Sequence, residues 1–174
     1  MKSKGFTLLE VIAAIFVLVV GLGASFSLIH QTLSAASIVK SRLVAAYLAQ
    51  EGIEIVKNTR DSNWLEQRVT AIAWNEDLTE CQPPAKCCES DYKTDTSVSY
   101  PITSLLSCDY DSLRYLNIDN NGFYSYAAGT PTKFKRNISI DTQTDKVRVS
   151  VEVVWKERGR IHAIEVLEDI TNWY

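Results

Sequence analysis

Residues 11–29 read VIAAIFVLVVGLGASFSLI, nineteen positions with no charge and two hydroxyls, Ser25 and Ser27. Phe6 to Leu9 extend this apolar run toward the amino end, and Glu10 is its one interruption. As a helix, positions 6–29 would measure roughly 36 Å at about 1.5 Å per residue. A bilayer core is about 30 Å thick, so the segment is long enough to span it. From 31 to 58 there is no Pro and one Gly, Gly52. Val44, Leu48, Glu51 or Gly52, and Ile55 approximate one apolar stripe, with Leu43 and Tyr47 beside it. Lys40, Arg42, Gln50, Glu54 and Lys57 fall on the other side. The pattern predicts a helix from about residue 7 to 58, apolar all round at first and amphipathic afterwards. Asn58-Thr59-Arg60-Asp61-Ser62-Asn63 reads as its break into loop.

The period changes in the carboxyl part. Asp119-Asn120-Asn121-Gly122 separates LRYLNI from FYSYA, as a hairpin turn does. Phe134 to Ile140 form a further run. Val147, Val149, Val151, Val153 and Trp155 then alternate with Arg148, Ser150, Glu152 and other residues, a strand with one buried face. Glu157 to Arg160 reads as a turn and Ile161 to Leu167 as the returning strand. Residues 64–112 show no clear period. Helix first and strands afterwards predict an α+β fold. A long amino-terminal helix, with a transmembrane half and an amphipathic half, packs on a carboxyl-terminal antiparallel sheet.

Composition narrows the function classes. A chain of 174 residues, 46% hydrophobic and 22% charged, suits one domain with an appendage and not a large multidomain enzyme. The net charge of −3 argues against a general nucleic-acid binder. Lys133, Lys135, Arg136, Lys146, Arg148, Lys156, Arg158 and Arg160 do cluster in the last strands, and read as a solvated face. No phosphate-binding glycine loop, H-E-x-x-H or G-x-S-x-G is present. His30 and His162 lie far apart without a catalytic arrangement around them, so both read as structural. Lys2 and Lys4 precede the apolar run, and no Lys or Arg follows until Lys40. That asymmetry predicts a single pass with a cytoplasmic amino terminus and an exported head. A cleaved secretory signal fits less well, because the charged region is short and the apolar run long.

Glu10 is the residue a plain anchor has no use for. An acid within a spanning helix is costly and calls for a partner. Lys4-Gly5-Phe6-Thr7-Leu8-Leu9-Glu10-Val11 resembles the prepilin processing motif of type IV pilins and pseudopilins. The resemblance implies a peptidase that cuts after Gly5 and methylates the new amino terminus at Phe6. It assigns Glu10 to assembly, paired with the terminal amine of a neighbouring subunit. It implies a leader at 1–5, a membrane or filament-core helix at 6–33 and an exported globular head at 34–174. The implied partners are other pilins, the prepilin peptidase and methyltransferase, the inner-membrane assembly platform and the membrane itself. The implied destination is a filament outside the cytoplasm, and the protein is a structural subunit, with no enzymatic role. Many pilins carry a Pro near the twenty-second mature position, where this chain has Ser27. Gly21 and Gly23 could soften the helix there, or could serve close packing between helices. The segment AQEGIEIVKNTRDSNW at 49–64, the Phe134–Arg136 and Val154–Arg160 segments and the ending ITNWY resemble V-type minor pilins, the pilus-modification group. A pseudopilin of a type II secretion system and a tethered binding module that never assembles are the alternatives.

Cys81, Cys87, Cys88 and Cys108 all lie in the part expected to be exported. An even count in an oxidising compartment predicts two disulfides. A bond between adjacent Cys87 and Cys88 would be strained, which leaves 81–87 with 88–108, or 81–88 with 87–108. Asn117, Asp119, Asn121 and Gly122 fit the first half of a calcium loop, but Ala128 stands where a bidentate acid belongs. The same residues suit an Asn-Gly hairpin turn. No cofactor is expected beyond that possible calcium ion.

Overall fold

The computed structural model describes residues 5, 7–79, 81–82, 87–93, 103–105 and 108–172, with the backbone alone at 103–105. The chain divides into two compact units, Met1–Ser41 and Arg42–Tyr174. One α-helix, α1 (Leu8–Glu66), contributes residues to both.

In the first unit the helix keeps its large apolar side chains exposed, from Leu8 and Leu9 through Phe16, Leu18 and Val19 to Leu33. Its hydroxyls turn back onto the helix. Ser25 Oγ donates to Gly21 O at 2.9 Å and Thr32 Oγ1 to Leu28 O at 2.8 Å. Ser27 Oγ accepts from Gln31 Nε2 at 3.4 Å. Ser25 and Thr32 thus satisfy their hydroxyl donors within the helix, which is what a hydrocarbon surround demands.

The second unit is built on a seven-stranded antiparallel sheet. Its strands are β1 (Cys87–Glu89), β2 (Thr103–Leu105), β3 (Tyr115–Ile118), β4 (Tyr124–Ser125), β5 (Thr130–Thr142), β6 (Lys146–Glu157) and β7 (Arg160–Thr171). β5 is the hub, pairing with β1, β3 and β6. β7 pairs with β6 through twelve residue pairs without a register shift. Arg158 and Gly159 both have positive φ, 54° and 78°, and so close the β6–β7 hairpin with the mirror-image turn that strand twist favours. Val147, Val149, Val151, Val153 and Trp155 are fully buried, as their alternation predicts.

The helix reaches further than its sequence suggests, through Asn58–Asn63 to Glu66. The residues that read as a loop have tertiary partners. Arg60 Nη1 donates to Thr171 O at 3.0 Å, and Asn63 Nδ2 donates to Glu76 O at 2.8 Å and Trp74 O at 3.2 Å. Such bonds outweigh propensity differences below about 1 kcal/mol per residue. β5 and β7 are likewise longer than the runs Phe134–Ile140 and Ile161–Leu167.

The buried stripe of the helix also differs from the one the residue pattern predicts. It runs through Ala45, Leu48, Ala49, Ile53 and Val56, while Leu43 and Tyr47 are exposed. Small residues mark this face because the helix lies close to the sheet. A Cβ placed on Gly52 would fall 2.8 Å from Val151 Cγ1, 3.2 Å from Val151 Cγ2 and 3.4 Å from Arg136 Cδ.

Gly52→Ala therefore sets about 1 kcal/mol of helix propensity against an overpacking cost of about 1–3 kcal/mol. Net destabilisation is expected in chemical unfolding. Adding Val151→Ala should recover part of the loss and make the pair non-additive; independent, additive effects would rule out the contact.

Candidate processing and assembly site

The amino-terminal site is built on a helix start. Thr7 O accepts from Glu10 N at 3.1 Å and from Val11 N at 3.2 Å, and Thr7 Oγ1 accepts from Glu10 N at 3.4 Å. Thr7 thus caps the first turn, and Thr7-Leu8-Leu9-Glu10 has the spacing of a capping box. Glu10 stands in the first turn, at the positive end of the helix dipole. This capping role escaped the motif reading, although the S/T-x-x-E spacing is legible in the sequence. Gly5 is exposed and precedes the helix, so the backbone carbonyl at the expected cut belongs to a non-helical residue. Glu10 is exposed as well. Phe6 lies outside the described residues.

The cysteines form two disulfides, Cys81–Cys88 and Cys87–Cys108. This is one of the two pairings left open by the sequence. Adjacent positions on a strand point to opposite faces, and that alternation separates Cys87 from Cys88. Cys88 and Cys81 join the main core with Ile138, whereas Cys87 packs with Leu113 and Val154 in a second cluster beside Cys108 and Tyr110. In the entropic model, closing loops of these lengths contributes about 2–3 kcal/mol each.

Asn117, Asp119 and Asn121 fall at the β3–β4 hairpin. Asp119 Oδ1 accepts from Asn121 N at 2.9 Å and Phe123 N at 3.1 Å. Its Oδ2 accepts from the Tyr92 hydroxyl and lies 3.4 Å from Lys93 Nζ. Asn117 Nδ2 donates to Ala127 O at 2.9 Å. Among the described residues no group of three His, Cys, Asp or Glu could hold a metal. The ammonium of Lys93 already stands at the carboxylate a calcium ion would need, so these side chains fit a self-closed turn better than a cation loop. Gly122, with φ 86°, supplies the left-handed residue of that turn.

The basic cluster is divided by its partners. Lys133 pairs with Glu157 at 2.7 Å, and Lys146 and Arg148 each reach Asp169 at 2.7 Å. Lys135 and Arg136 are buried. Lys135 Nζ sits 4.2 Å and 4.4 Å from the ring centres of Tyr110 and Tyr115. The Tyr110 hydroxyl is pushed up to about 12, first by the neighbouring Tyr115 hydroxyl and then by desolvation. Arg136 donates to Leu48 O at 2.8 Å and to Ser90 O, and lies 3.3 Å from Glu51. Of the two histidines, His30 is exposed and His162 stacks on Trp155 at 5.4 Å.

Helix, sheet and disulfides define an α+β protein with one apolar amino-terminal helix long enough to cross a bilayer. Residues 1–26 match the prokaryotic N-terminal methylation motif, which supports the type IV pilin and pseudopilin family. No curated protein and no solved structure matches the chain. The motif and helix together support a single-pass membrane anchor, and the motif points to a structural subunit.

Asp119 gives this region a pH signature. Its carboxyl is lowered from 3.8 to about 2, chiefly by the Tyr92 hydroxyl and further by the backbone donors and Lys93. A depressed carboxyl contributes stability above its unfolded value that is lost as pH falls through the folded one. The contribution should be complete above about pH 4 and fade toward pH 2. Asp119→Asn should flatten the acid limb of stability in that window; an unchanged limb in denaturant titrations would contradict the assignment.

Proposed function

We propose that the chain is a structural subunit of a type IV pilus, and a minor one. It is inserted as a precursor, cut after Gly5, methylated at Phe6 and assembled with other pilins. Glu10, freed of Lys2 and Lys4 nearby, pairs with the terminal amine of an adjacent subunit. An unpaired charge in an apolar surround is heavily penalised, so the pair favours association over isolation. The minor-pilin reading rests on the resemblance of the head segments, and the pilin reading on the amino-terminal motif.

One observation favours assembly over a solitary tether. Val39, Leu43 and Tyr47 follow one another at four-residue spacing, and each is more than half exposed. Val11–Ile29 already supplies the roughly 20 residues that a bilayer core accommodates. Val39 begins ten residues later, beyond the reach of lipid tails. Burying such a side chain is worth about 1.5–3 kcal/mol, and sister helices supply the partner surface.

Substituting Gly5 should leave Met1 on the protein in cells that contain the peptidase, as read by intact mass. Glu10→Ala and Leu43→Asp should both be cut normally and yet be depleted at least about tenfold from sheared filaments, a deficit of about 1.4 kcal/mol. Normal incorporation of Glu10→Ala would sink the pairing mechanism. Survival of Met1 in the unaltered protein would favour the tethered module instead.

A further inference from the structure

The β6–β7 hairpin carries charges that the rest of the sheet leaves unmatched. Lys156, Arg158 and Arg160 are exposed, and no carboxylate among the described residues pairs with them. Glu157, the one acid in the turn, points to Lys133 and Trp155 instead. Ile161 lies opposite Lys156 in the strand register and is 58% exposed. Three cations and one apolar side chain therefore cluster within six residues, Arg158 in the two-residue turn and Lys156, Arg160 and Ile161 on the strand ends beside it. Elsewhere on the sheet Lys133, Lys146 and Arg148 have acids beside them, so the hairpin is where positive charge remains available.

Contacts inside the second unit fix which end of the sheet this is. Arg60 meets Thr171 and Lys57 meets Glu168 at 2.7 Å. Further toward the helix start, Gly52 lies against Val151, which pairs with Val166, and Leu48 O accepts from Arg136. Arg136 pairs with Val153, and Val153 with Ile164. Descending helix numbers thus match descending β7 numbers, 171, 168, 166, 164. The helix enters the head at the end occupied by the hairpin. Arg42 stands thirteen positions after Ile29, the end of the charge-free run. That is thirteen Cα steps, with twelve residues in between, so at most about 45 Å of extended chain joins the charge-free run to the first residue of the unit that carries the hairpin.

We propose that, before assembly, the Lys156–Ile161 hairpin docks on the anionic headgroups of the membrane that holds the chain's own helix. Exposed guanidinium and ammonium groups bind lipid phosphates, and Ile161 supplies the apolar contact usual at an interface. The occupant is a lipid surface because the hairpin's cations complement anionic headgroups, Ile161 adds an apolar contact, and the chain's own charge-free run keeps a bilayer within that length of chain. A nucleic acid would meet only three available cations on a chain of net charge −3. The proposal takes the membrane anchoring above as its basis and adds a contact that anchoring does not require.

The full-length mature chain, in nanodiscs of phosphatidylcholine alone or of phosphatidylcholine with phosphatidylglycerol, provides the test. Recovery of protein in both discs reports the anchoring separately from the docking. Amide hydrogen exchange at Arg158, Gly159 and Ile161 should slow at least about tenfold with the anionic lipid, since each cation near such a surface is worth about fivefold. The slowing should vanish at about 1 M salt, where the Debye length is about 3 Å. Lys156→Gln, Arg158→Gln and Arg160→Gln together should abolish it, whereas the charge-conserving set Lys156→Arg, Arg158→Lys and Arg160→Lys should retain it. Equal exchange in the two discs, or slowing that survives high salt, would overturn the proposal. So would a glutamine variant that enters filaments poorly without any change in lipid dependence, because that result assigns the cations to a neighbouring subunit.

Discussion

A chain segment in hydrocarbon must satisfy every backbone donor and acceptor from within itself, and the rest of this structure follows from that constraint. The solution is a helix, and its hardest point is the first turn, where N–H groups lack partners. Thr7 supplies the cap, and Glu10 stands in the first turn, at the positive end of the dipole. The acid that looked purely like an assembly residue therefore also belongs to the helix start.

The same helix faces a different requirement once it enters the head. There it needs one buried face, and it achieves close contact with small residues instead of large ones. Ala45, Ala49 and Gly52 let the backbone approach the valines of β6, and Leu48, Ile53 and Val56 fill the flanks. Arg136 stands at this seam with no exposed surface. Burying a cation is costly unless its donors are matched. Here the helix carbonyl of Leu48, the carbonyl of Ser90 and the Glu51 carboxylate receive its two terminal nitrogens, while Nε is buried without a partner, so one side chain ties helix, β5 and the loop after β1 together at some cost. Specific pairing of this kind fixes the rotation of the helix on the sheet, which dispersion among methyl groups alone leaves loosely defined.

Much of this was legible from residue pattern, and the misses share a cause. Alternation of Val147 to Trp155 identified β6 and its buried face, because a period of two needs no tertiary information. The Asn121-Gly122 turn and the Arg158-Gly159 hairpin were readable for the same reason: local backbone chemistry decides them. The helix stripe was misplaced because Ala and Gly carry little hydrophobic signal, though they are the residues a close helix–sheet contact selects. Asn58 to Asn63 looked like a loop because its stabilising bonds go to Thr171, Trp74 and Glu76, distant in sequence. The disulfide pairing stayed open until Cys87 and Cys88 were known to lie on a strand. After that, opposite faces leave each sulfur one partner within reach. At the amino end, the resemblance to the prepilin motif singled out Gly5 and Glu10, and the three-residue step from Thr7 to Glu10 carries the cap.

Charge distribution, and not net charge, decides how such a head meets its surroundings. The proposed cut after Gly5 would take Lys2 and Lys4 away and move the side-chain total from −3 to −5. By that total, an anionic bilayer should repel the mature head. Yet electrostatic interactions fade over about 8–10 Å at physiological ionic strength, so a surface responds to the charges nearest it. Asp169 is shared by Lys146 and Arg148 near the end of β7, and Glu157 pairs with Lys133 beside the turn. On the sheet, among the described residues, the exposed cations without a carboxylate partner are those of the hairpin. An acidic protein can thus present a basic end without altering its overall balance, and local pairing determines which end that is.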